Sequence, residues 1–84
     1  MNGETAIIVF NIIKKNISVD LEVPLTISAN DLVIAINDGY GLGIDITNVK
    51  KCYLKTEKPI ALLKGNKTLA EFGIRNGTEI YYTE

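Results

Sequence analysis

Ser28-Ala29-Asn30-Asp31-Leu32-Val33-Ile34-Ala35-Ile36-Asn37-Asp38-Gly39-Tyr40-Gly41 is the stretch that decides how this 84-residue chain folds. The Ser28 hydroxyl is placed to accept a hydrogen bond from the backbone N–H of Asp31. Asp31 reaches back in turn, and its charge suits a helix N-terminus. Leu32 and Ile36 lie one turn apart and predict a buried stripe, flanked by Ala29 and Ala35. Gly39 and Gly41 tolerate positive φ and predict an end after about three turns. The apolar run from Val33 to Ile36 alone reads equally well as a strand. The serine cap before it and the glycines after it decide for a helix over Ser28–Asn37.

The segments on either side read as strands. Ala6 to Ile13 is rich in β-branched residues; Ile8, Phe10 and Ile12 share one face, and Ile7, Val9, Asn11 and Ile13 the other. Asn11 marks that second face as the more solvated. Lys14-Lys15-Asn16 supplies a polar turn, with Asn16 able to take a left-handed conformation. From Ser18 the alternation is clean, Val19, Leu21 and Val23 inward and Asp20 and Glu22 outward, until Pro24 stops the ladder.

Beyond the helix, Gly41 to Asn48 is a loop and Lys50–Thr56 reads as a third strand. Cys52 and Leu54 point one way and Lys51, Tyr53 and Lys55 the other. Thr56-Glu57-Lys58-Pro59 turns into a fourth strand, Ile60 to Leu63. Thr68–Phe72 reads as one helical turn capped by Thr68 and stopped by Gly73. Asn76-Gly77 then turns into a last strand, Thr78–Thr83, with Ile80 and Tyr82 on one side and Glu79, Tyr81 and Thr83 on the other. A sheet that is apolar on one face must cover it, and only the Ser28–Asn37 helix is long enough to do so. The order is ββαββ, a short helix, then β: an α+β domain over residues 1–84, with a mixed four- to five-stranded sheet on one main helix. Its expected core is Ile8, Phe10, Ile12, Val19, Leu21, Val23, Leu32, Ile36, Leu54, Leu63, Leu69, Ile74, Ile80 and Tyr82.

The segment Lys67-Thr68-Leu69-Ala70-Glu71-Phe72-Gly73-Ile74-Arg75-Asn76-Gly77-Thr78-Glu79-Ile80 resembles the closing part of ubiquitin-like (β-grasp) domains. There a T-L-x-[DE]-[FY]-x-I turn precedes a Gly-Thr pair and the final strand. Val23-Pro24 ahead of a Ser-capped helix matches the same superfamily. Within it, the length, the hairpin around Thr56–Pro59 and Gly73-Ile74-Arg75-Asn76-Gly77 are similar to the YukD/EsaB group. Those are small bacterial proteins associated with type VII (WXG100, ESX-like) secretion. The resemblance implies a cytoplasmic accessory or regulatory component of such an apparatus, with protein partners drawn from the secretion system.

Catalytic chemistry finds little support. No histidine is present, which removes the commonest general base and metal ligand. No cofactor and no metal site is expected, and the chain does not read as an enzyme. Cys52 is the only cysteine, which rules out an internal disulfide and favours a reducing cytoplasm. Its neighbouring lysines could lower its pKa, but a small core residue is the simpler reading. Gly39-x-Gly41-x-Gly43 follows a helix, lacks a downstream Lys-Ser/Thr pair, and is no phosphate loop. Ubiquitin-type modifiers and sulfur carriers need a terminal Gly-Gly tail, whereas this sequence ends Tyr81-Tyr82-Thr83-Glu84. A carrier whose tail is missing here is one alternative, and a homo-oligomeric regulatory module is another.

A binding surface is better supported. The face turned away from the helix is expected to gather Ile7, Val9, Tyr53 and Tyr81 with Lys51 and Lys55, an interface-like mixture of apolar and aromatic groups rimmed by lysine. Ile34, on the outer side of the helix, is a weaker candidate, and a homodimer through the sheet face is a further reading. Residues 50–67 hold six lysines against Glu57. They form either a solvated strand face or a patch for an acidic protein. A net charge of −1 and no aromatic–basic interleaving argue against nucleic acid. The first residues lack a signal peptide's basic flank, and the apolar runs fall short of the ~20 residues that span a bilayer, so no membrane insertion is expected.

Overall fold

The computed structural model describes residues 4–48, 50–57 and 60–83. Strand β1 (Thr5–Ile12) runs antiparallel to β2 (Ile17–Pro24), with Phe10 opposite Val19 and Thr5 opposite Pro24. A 3-10 turn over Ile13–Lys15 joins them, and Asn16 closes it at φ 54, the left-handed conformation foreseen for it. Helix α1 (Ala29–Tyr40) follows, then β3 (Leu54–Glu57), β4 (Ile60–Leu63) and β5 (Glu79–Tyr82). The last strand inserts between β1, to which it is parallel, and β3, to which it is antiparallel. This gives the order β2-β1-β5-β3-β4. Mixed pairing of this kind leaves α1 on one face and the other face bare.

Ser28 caps α1 as expected, its hydroxyl accepting from Asp31 N–H at 3.1 Å. The other leading amides are satisfied by the chain's later part: Ala29 N–H donates to Lys67 C=O at 2.8 Å and Asn30 N–H to Gly65 C=O at 2.9 Å. Leu69 N–H and Ala70 N–H return the bonds to Ile27 and Leu25 carbonyls, each at 3.0 Å. Residues 25–30 and 65–70 thus form one hydrogen-bonded seam that pins the helix start. The Thr68–Gly73 turn carries a reciprocal capping box: Thr68 Oγ1 accepts from Glu71 N–H at 3.2 Å, and Glu71 Oε1 accepts from Thr68 N–H at 2.8 Å.

The core centres on Ile8, Phe10, Leu54, Leu63, Leu69 and Ile80, all fully buried, under Ala29, Leu32, Val33 and Ile36 of the helix. Several expectations are corrected. The helix runs on to Tyr40, so Gly39 lies inside it and Gly41 alone, at φ 60, is its left-handed cap. Val33 is fully buried and Ala35 exposed, because the stripe facing the sheet is 29, 32, 33 and 36. Val19 and Leu21 are only partly buried, since β2 is an edge strand with a neighbour on one side; Tyr82 is also half-buried.

The third strand begins at Leu54, not Lys50. Upstream, Asn48 Oδ1 accepts from Lys50 N–H and Asn48 C=O from both Lys51 and Cys52 N–H, which draws residues 50–52 into turns before a ladder can form. The turn expected at Lys58-Pro59 falls outside the described residues.

Candidate functional site

Strand parity and register place a definite set of side chains on the sheet face opposite α1. In β1, Ile7, Val9 and Asn11 alternate with the buried Ile8, Phe10 and Ile12. Asn11 stands beside Ser18 on one side and Tyr81 on the other, and Tyr81 stands beside Lys55, itself opposite Leu62. One row along, Val9 lies between Asp20 and Glu79, and Glu57 is opposite Ile60. Continuing the β3–β5 register by one residue sets Glu57 beside Glu79.

The face is both apolar and acidic. Ile60 is 89% exposed, Ile7 54% and Leu62 44%, with Val9 half-buried between them. At its centre the Tyr81 hydroxyl lies 3.3 Å from Glu57 Oε1 and 3.3 Å from Glu79 Oε1. Partial desolvation, reinforced by these two carboxylate charges, raises the Tyr81 phenol above its ordinary range. Glu22 accepts from the Thr5 hydroxyl at 2.8 Å. Asn11 is nearly covered, contrary to its reading as a marker of solvent. Its amide donates to Ile80 C=O at 3.3 Å and toward Glu79 Oε1 at 3.4 Å, and its oxygen accepts from Ser18. That network stitches β2, β1 and β5 together and fixes the floor on which the exposed residues stand.

Of the residues expected to share this face, the structure brings Ile7, Val9, Lys55 and Tyr81 together. Lys51 sits in the turn before β3. With Tyr53, Lys50, Ile44 and Tyr82 it lines a separate hollow of about 410 Å3. The lysine rim is thereby reduced to Lys55. Ile60, Leu62 and the Glu57–Glu79 pair were missed. The alternation of Ile60 and Leu62 is visible in the sequence, but which strand each neighbours is not.

Cys52 is buried, and burial, then the negative charge of Asp45, pushes its thiol up; the neighbouring lysines do not lower it. Its sulfur lies 3.4 Å from Asn30 Oδ1. Asp45 is held below the usual carboxylate range by the Thr47 hydroxyl at 2.6 Å and the Thr47 N–H at 3.0 Å, a local turn. Among the described residues no buried polar side-chain atom lacks a partner, and no cluster of His, Cys, Asp or Glu is arranged to hold a metal ion. No helix among them is long and apolar enough to cross a membrane.

The family model described as "WXG100 protein secretion system (Wss), protein YukD" matches residues 7–81. The chain belongs to the YukD family. No curated protein shows a significant sequence match. Among solved structures, the ubiquitin-like domain of an Arabidopsis thaliana protein is similar at TM-score 0.66 and 18% identity, with 92% of this chain and 73% of that one covered. Trypanosoma brucei tubulin-binding cofactor B is similar at TM-score 0.68 and 9% identity, covering 93% of this chain and 92% of that one. At such identities the likeness shows the fold, and the fold of this YukD family member is the ubiquitin-like β-grasp.

Proposed function

We propose that this YukD family member is a single ubiquitin-like domain that serves as a cytoplasmic adaptor or regulator of a WXG100 (type VII-like) secretion apparatus. It acts by non-covalent contact and performs no catalysis of its own. The observation that carries this reading is the bare sheet face, where Ile7, Ile60 and Leu62 stand exposed around Tyr81 on a rigid, hydrogen-bonded floor. Scattered exposed apolar residues are ordinary on a protein surface; several gathered on one face fit an interface. The contact residues are Ile7, Val9, Lys55 and Tyr81 together with Ile60 and Leu62. Membership of the YukD family supports secretion-system components as the partners.

The test is affinity capture from a host expressing the apparatus, comparing the native chain with Tyr81→Asp and with Ile60→Asp/Leu62→Asp. Secretion-system components should be recovered with the native chain and lost with both variants, while circular dichroism shows all three folded. Recovery of none of those components by the native chain, or equal recovery by folded variants, overturns the reading. An intact-mass measurement of the chain in that host should show no conjugate ladder; a ladder would establish covalent attachment instead.

A further inference from the structure

We infer that the outer sheet face receives a basic, amphipathic segment of a protein partner, one whose arginines or lysines enter between two apolar contacts. The inference rests on the outer face being the contact surface and adds the chemistry of what covers it. The sheet presents this face in stripes. At one edge β4 offers Ile60 and Leu62; β3 and β5 carry Glu57 and Glu79 with the Tyr81 hydroxyl between them; β1 offers Ile7 and Val9; and β2, at the other edge, carries Asp20 and Glu22. Adjacent strands lie about 4.8 Å apart, so the two apolar stripes are about 14 Å apart with the carboxylates midway.

Like charges placed side by side across strands destabilise a sheet. Glu57 and Glu79 share the neutral Tyr81 phenol, Glu79 is also approached by the neutral Asn11 amide, and among the described residues no ion pair neutralises either carboxylate. Among the described residues the cations here are Lys55 on the face and Arg75, which lines one hollow with Glu57, Glu79 and Tyr81, against the four carboxylates of Asp20, Glu22, Glu57 and Glu79, although the chain as a whole carries a net charge of only −1. A cationic side chain from a partner relieves that repulsion while its apolar neighbours cover Ile60, Leu62 and Ile7. A second copy of this chain, docked face to face, would set the same carboxylates against one another. Charge complementarity therefore selects a basic partner and disfavours both an acidic one and self-association through this face.

The probe is a peptide of repeated Leu-Thr-Arg-Thr. In an extended chain, same-side residues recur about every 6.8 Å, which sets its leucines about 14 Å apart with an arginine midway. Its counterpart carries Glu in place of Arg. Binding is followed by amide chemical shifts in the two-dimensional NMR spectrum of the native chain and of Glu57→Gln/Glu79→Gln. The Arg peptide should shift amides of β1, β3, β4 and β5 and bind about tenfold more tightly than the Glu peptide at low salt. The double variant, with an otherwise native spectrum, should lose most of that difference. Equal binding of both peptides at this face overturns the inference but leaves the face as the contact surface. Shifts confined to α1 or the 41–53 loop overturn both. Absence of binding by the Arg peptide overturns the inference alone.

Discussion

Leu69→Ala is the sharpest test of how this fold is closed. Leu69 is fully buried, and its backbone lies in the seam that pins the helix start, donating to Ile27 C=O at 3.0 Å and accepting from Ile74 N–H at 3.1 Å. The substitution leaves those backbone bonds in place and removes three carbons from the core. At about 0.8 kcal/mol per buried carbon the transfer loss is about 2.4 kcal/mol. The cavity left behind raises the total to about 3 kcal/mol, because a site hemmed in by β-strands and a capped turn relaxes little. A chain of 84 residues has a stability of about 4–13 kcal/mol, so this is a large fraction of the whole. Urea unfolding followed by far-UV circular dichroism reads it directly. With a slope near 1 kcal/mol/M the midpoint should fall by about 3 M with the slope unchanged. Leu69→Met keeps volume and apolarity and should cost less than about 1.5 kcal/mol. A loss below about 1 kcal/mol for Leu69→Ala would refute the reasoning, because the 68–74 turn would then be an ornament on the surface and not the stopper of the core.

Two glycines should respond in opposite directions to the same substitution. Gly39 lies inside α1, and an added Cβ there meets nothing within 4 Å, so Gly39→Ala should stabilise by about 0.5–1 kcal/mol. Gly77 also has open space around it but sits at φ +86, where its N–H donates to Ile7 C=O at 2.8 Å; Gly77→Ala should destabilise by about 1–2 kcal/mol in the same urea assay. Glu71 supplies a pH dependence. The Thr68 N–H and hydroxyl hold its carboxyl below the usual glutamate range. A folded value below the unfolded one means its contribution is complete above about pH 4.3 and disappears as pH falls through the lower folded value. Denaturation measured across acid pH should therefore show the native chain losing stability more steeply than Glu71→Gln, with the two curves converging at the acid end.

Much of the architecture was legible because it is written in local chemistry. The Ser28 hydroxyl cap, the left-handed Asn16 and the Thr68 cap are each set by residues within four positions of one another, and each stands as read; the return bond from Thr68 N–H to Glu71 is added by the structure. Strand parity was equally readable: Ile8, Phe10, Leu54, Leu63 and Ile80 face inward as alternation required. The third strand was read too long for a local reason as well. Asn48 takes up the amides of residues 50–52, Lys50 N–H through its side-chain oxygen and Lys51 and Cys52 N–H through its carbonyl, and donors satisfied locally are lost to a ladder. The burial of Asn11 was not local. It depends on Glu79 and Ile80, far away in sequence, arriving beside β1.

The same limit explains why the surface was harder to read than the core. Alternation tells which side chains share a face within one strand and nothing about which strand lies next to it. Burial is nearly indifferent to that order, since an inward Ile80 is buried beside any neighbour. Charge is not indifferent. Once β5 inserts between β1 and β3, Glu79 is set against Glu57, and the turns at 50–52 carry Lys51 away to the separate hollow beside Tyr53 and Tyr82. Both moves act in the same direction, turning a face expected to be rimmed by lysine into one dominated by carboxylates. For the basic partner proposed above, the inserted final strand is the deciding element, because it leaves the inward side chains buried and gathers Glu57 and Glu79 on the outer face.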